Sequence, residues 1–229
     1  MNDPVEGFDW NNRGTFLRAG IVVELLVLLV GLGLGWLSGI NPWRLCHLTP
    51  AALAWGLAAT GPLVLAFGVT YSVQWTPLRR IRELLLEMLG RPMVACRWYD
   101  LAVLAVLAGV CEEVLFRGVI QPWMAGGDAA YPLTTGFGVA LIGSNLLFAL
   151  LHPVTRTYAI LVGLVGVYLG VVGLVDPLPV GTRQAGQANL VVPIVAHAVY
   201  DFLAFLVIAR ESRRRMQSGS VVTGIVESD

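Results

Sequence analysis

The chain has no lysine; all fifteen of its basic residues are arginine, and fifteen acidic residues cancel them. Only 13% of residues are charged and the net charge is zero. A chain without a positive field lacks the electrostatic footprint of nucleic-acid binding, so no nucleic-acid partner is expected. Cysteine is also scarce. Cys46, Cys96 and Cys111 are odd in number, form no CxxC pair and lie in or beside apolar runs. They read as small hydrophobes, not as a disulfide framework or a metal cluster. Histidine occurs three times, at positions 47, 152 and 197. The polar, acidic stretch 1–12 has no basic n-region, so no cleaved signal peptide is expected. No internal repeat is visible.

What the chain has instead is hydrocarbon. Over 229 residues, 56% are hydrophobic and the mean hydropathy is +0.73, values of a polytopic membrane protein. About 20 apolar residues cross a bilayer core. Runs of that kind fall at 19–40, 51–73, 99–121, 134–152, 158–175 and 190–209. The expected fold class is therefore all-α: a polytopic transmembrane helix bundle of about six spans, forming one membrane domain over 1–229 with its bundle at 19–209. Gly61-Pro62 should loosen the second run. Glu24, near the start of the first, reads as interfacial. The segment 77–90 alternates Leu78, Ile81, Leu84, Leu85 and Met88 with Arg79, Arg80, Arg82, Glu83 and Glu87. That is an amphipathic interfacial helix, expected to end at Arg91-Pro92. The charged tail, 210–229, is expected to be mobile. With both termini cytoplasmic, twelve arginines face inward and two, Arg44 and Arg183, face outward, a strong positive-inside bias. This layout places His152 near the inner end of its helix and His197 in the outer half of its own.

The third run holds the costly residues. Glu112, Glu113 and Arg117 lie in an otherwise apolar helix, where each charge costs at least ~2.5 kcal/mol, so a functional role is the default expectation. Glu113 and Arg117 are four apart in the favourable acid-first order and can pair. Glu112 points about 100° away and is left without that partner. His152 follows Phe148 by four residues, and Asp201 follows His197 by four, each on one helix face. No serine or cysteine sits in a defensible triad with these groups. Ser144 has no support as a nucleophile, and the apolar setting of Cys111 quietens its thiol. Carboxylates with imidazoles suit an activated water.

EExxxR (Glu112, Glu113, Arg117), FxxxH (Phe148, His152) and HxxxD (His197, Asp201), in that order on successive apolar helices, resemble the CPBP family. These are the CaaX-protease and bacteriocin-processing (Abi) intramembrane proteases, which include the Ras-converting prenyl-protein endoprotease. The resemblance covers about 100–210 and implies an endopeptidase acting on membrane-associated protein or peptide substrates in the bilayer. It implies catalytic roles for Glu112, Glu113, Arg117, His152, His197 and Asp201, with Glu113 and Arg117 orienting Glu112. Two chemistries stay open. Zinc could be held by Glu112, His152 and His197 with a water in the open position. Alternatively, Glu112 and His152 deprotonate water without metal, while His197 and Asp201 hold the oxyanion or orient the imidazole. A transporter or proton relay using the same groups, and a catalytically silent membrane scaffold, are the rival classes. The expected location is a bacterial plasma membrane.

Overall fold

The structure, a computed structural model, describes residues 9–126, 135–174 and 188–226. The acidic segment 1–8, the turn at Gly127-Asp128, the loop at 176–187 with Arg183, and residues 227–229 lie outside the described residues. The fold is an all-α helical membrane bundle. Its helices are α1 (Arg13–Ser38), α2 (Pro50–Ser72), α3 (Thr76–Ala95), α4 (Trp98–Leu115), a π-turn (Phe116–Ile120), α5 (Gln121–Met124), α6 (Thr135–Leu150), α7 (Arg156–Val172) and α8 (Val191–Val226). By length and composition α1, α2 and the 191–218 part of α8 can each cross a membrane. The other expected spans are also helices. The α4–π-turn–α5 helix carries charge, and α6 and α7 are short.

Local chemistry sets the boundaries. Asn12 caps α1 by accepting the Gly14 N–H at 2.8 Å, and Gly39 ends it in the left-handed conformation, φ 74°. Thr49 caps α2, with Pro50 in its first turn. The expected stop at Pro92 does not occur: α3 runs through it to Ala95. A proline there frees the carbonyl four residues back. That carbonyl, Met88 O, accepts the Trp10 indole N–H at 3.2 Å, so the helix continues without an orphaned acceptor.

α8 is the central element, packed against α2, α3 and α4. Small residues permit this. A Cβ on Gly109 of α4 would meet the Ala198 backbone nitrogen at 2.9 Å and the Ile194 carbonyl at 3.0 Å. A Cβ on Gly56 of α2 would meet Val195 at 2.6 Å. Close backbone approach of this kind is how helices associate where lipid removes the hydrophobic drive. α3 is amphipathic, as its pattern predicts, and part of its apolar face packs on protein. Leu86 and Met93 join Phe16, Leu101, Leu104 and Ile208 in one buried cluster. In the tail, α8 continues as helix to Val226. Its Arg, Glu, Met and Gln residues are good helix formers, and Glu211 pairs with Arg215 at 3.1 Å.

His152 sits in the turn between α6 and α7, just past the end of α6, and lines the same cavity as His197.

Candidate active site

Arg117 is the hub of the site. Its Nη1 donates to Glu113 Oε1 at 3.0 Å, and its Nη2 donates to Asn145 Oδ1 at 2.9 Å and to the Gly166 carbonyl at 2.8 Å. Its guanidinium lies 4.8 Å from the centroid of the Phe148 ring. One buried arginine thus ties α4 to α6 and α7. Charge, hydrogen bonds and a π-face together hold this cation, whose buried Nε alone has no partner among the described residues. The backbone here is a π-turn, in which the Gln121 N–H reaches the Phe116 carbonyl. Pro122 follows and has no N–H to strand, and such turns recur at functional sites.

Glu113 is fully buried, and the same Oε1 also accepts from His197 Nδ1 at 2.9 Å. A carboxylate only accepts, so Nδ1 carries the proton and Nε2 is directed elsewhere. Nε2 faces Asp201 Oδ2 at 3.4 Å and Glu112 Oε2 at 3.9 Å. The imidazole is therefore clamped behind by Glu113 and fronted by two partly exposed carboxylates. Glu113, itself held by Arg117, takes Nδ1 and so braces His197 directly.

His152 is fixed by its own helix end. Its Nδ1 bonds the Phe148 carbonyl at 2.8 Å, and a carbonyl can only accept, which leaves Nε2 as a free base. Phe148 lies against both imidazoles, tilted at 4.7 Å from the His152 ring and edge-on at 6.5 Å from the His197 ring. Glu112, His152, His197 and Asp201 all line one cavity of about 590 Å³. The six residues singled out from sequence thus form one connected cluster.

Two further residues belong to it. Glu24 was expected at the interface; it lines the same cavity, with Oε2 buried and unpartnered. The helix α1 packs along α4 and delivers it there. An ionisable group inside an apolar run was the available signal. Asn145, buried at 3% exposure, follows Ser144 in the apolar stretch of α6 and supplies an Arg117 acceptor. Ser144 itself donates to the Leu141 carbonyl at 3.2 Å within α6 and lines no part of the cavity. Among the described residues, no three His, Cys, Asp or Glu side chains stand as a group that could hold a metal ion. No chemical step below is derived through a metal.

Fold and site together define a class: a helical membrane bundle that buries an ion-paired glutamate behind a histidine and sets a second glutamate and a second histidine on a cavity. Residues 95–203 match the family described as Type II CAAX prenyl endopeptidase Rce1-like. That segment, just under half of the chain, holds all six motif residues, and it is similar to this family. No curated protein and no solved structure matches it.

Proposed function

We propose that the chain is an intramembrane endopeptidase that cuts membrane-associated proteins or peptides with a water activated by Glu112 and His152. The observation that carries this reading is the sidedness of the cluster. Glu113 and Arg117 engage one another and His197 Nδ1 away from the cavity, while Glu112, His152 Nε2 and His197 Nε2 remain on it. In this scheme Glu112, aided by His152, takes a proton from water as the oxygen attacks the scissile carbonyl. His197, protonated at both nitrogens, donates Nε2–H to the oxyanion while Glu113 holds Nδ1–H. Glu112 returns its proton to the departing amine as the C–N bond breaks. Asp201 orients His197 from the front.

The family description carries the substrate class, the C-terminal region of prenylated proteins, as a proposal for this chain as well. The proposed setting is a bacterial plasma membrane with both termini cytoplasmic, which rests on the arginine distribution. A zinc-dependent route is the second chemistry, and the test separates the two. Purified chain in liposomes is given a membrane peptide library, with and without chelator, beside Glu112→Gln. Turnover that resists chelator and disappears in Glu112→Gln supports the scheme; turnover by Glu112→Gln at the parent rate overturns it.

A further inference from the structure

The cavity has a second polar end that the chemistry above does not use. From His197 to Ile208 it runs along ~16 Å of α8. Its walls between are apolar, with Phe67 of α2, Leu85 of α3 and Phe205 of α8 among them. The aromatic path leads away from the site in measured steps. The Phe67 ring lies 6.1 Å from Tyr200, the Tyr71 ring 5.5 Å from Phe67, and the Arg82 guanidinium 5.3 Å from the Tyr71 centroid.

Arg82 spends one donor on structure. Its Nη1 bonds the Tyr71 carbonyl at 3.1 Å, capping the last turn of α2. Its Nε is buried without a partner, as is the Tyr71 hydroxyl, and both residues line the cavity. Among the described residues Arg82 makes no ion pair. Glu211, within electrostatic range of Tyr71, is held by Arg215 at 3.1 Å. A guanidinium with a spare donor beside a spare hydroxyl, inside an apolar cavity, matches a carboxylate.

We propose that Arg82 and Tyr71 form a carboxylate-anchoring subsite at the end of the cavity away from Glu112. The ~16 Å run equals about five residues of extended peptide, so the anchored carboxylate lies within that reach of the cleaved bond. Only the position of that bond rests on the proteolytic reading; carboxylate binding does not require turnover. The carboxylate can come from a peptide's C-terminus or from an acidic side chain, and the two sources are separable.

The test uses full-length protein carrying Glu112→Gln, in nanodiscs, so that the peptide stays intact. The probes are fluorescein-labelled Val-Leu-Ala-Leu-Ala as free acid, the same peptide as amide, and an amide ending in Glu. The free acid is expected to bind about tenfold more tightly than the amide, the scale of a charged hydrogen bond. A further Arg82→Gln change should erase that preference, Arg82→Lys should keep part of it, and Tyr71→Phe should weaken it about threefold. If the Glu-ended amide matches the free acid, a side chain can serve as the source; if it matches the plain amide, the terminus is the source. Equal binding of acid and amide, a preference that survives Arg82→Gln, or no binding of any probe overturns the subsite. Absence of turnover in the unsubstituted chain, with the preference intact, overturns only the proteolytic reading.

Discussion

Exchanging each of the adjacent glutamates for glutamine separates two roles that sequence alone leaves side by side. Glu113 is fully buried and holds two groups on one oxygen, Arg117 at 3.0 Å and His197 at 2.9 Å. Glu113→Gln keeps the volume and a neutral acceptor but leaves a buried guanidinium without its counter-charge. Asn145 and the Gly166 carbonyl still accept from Arg117, which places the loss at the low end for a broken buried pair, about 3 kcal/mol. For a chain of this length that is a fall of roughly 6–12 °C in Tm. Among the described residues Glu112 has one ion-pair partner, His197 at 3.9 Å, and it is partly exposed to the cavity. Glu112→Gln should therefore cost less than about 1 kcal/mol while abolishing turnover. Thermal unfolding of both variants in one detergent, beside a cleavage assay, reads the two effects separately. Glu113→Gln with the parent's Tm, or Glu112→Gln as the less stable of the pair, would refute the assignment.

Three other outcomes follow from the packing. Gly109→Val should push α4 off α8, because even a Cβ would meet Ala198 and Ile194 at 2.9 and 3.0 Å; circular dichroism on heating should show a fall in Tm of several degrees. Burial pushes the Cys96 thiol up to about 11, so the reactive thiolate is the minor form at every pH below that value. Its maleimide labelling should be slow at pH 7 and rise about tenfold per pH unit, and fast labelling at pH 7 would count against this burial. Glu24→Gln should alter the pH profile of cleavage more than the fold, since it changes a charge on the cavity and removes no bonded partner; an unchanged profile would detach Glu24 from the site.

The local part of this account was legible in the sequence. A four-residue spacing is enough to pair Glu113 with Arg117 and to turn Glu112 away, and the structure keeps both relations. The period of α3 likewise predicts its two faces. The partners that residues meet from distant helices were not legible. Pro92 reads as a stop until Trp10, 78 positions earlier than Met88, supplies the missing donor. Glu24 reads as interfacial until α1 packs beside α4. His152 and His197 read as lying at different depths, yet they line one cavity with the Phe148 ring between them. The four-residue spacing pairs His197 with Asp201 but does not reveal Glu113, 84 residues away, which meets Nδ1 at 2.9 Å.

The central claim is that Glu112 and His152 activate water on a cavity that Glu113 and Arg117 keep in shape. Its most direct test measures single-turnover cleavage of a membrane peptide by the reconstituted chain, by His152→Ala and by Glu112→Gln, with the zinc content of each sample determined. The account predicts cleavage by the unsubstituted chain that survives chelation, and none by either variant although both remain folded. Stoichiometric zinc that is lost in His197→Ala, with activity removed by chelator and restored by zinc, would contradict it, as would cleavage persisting in Glu112→Gln.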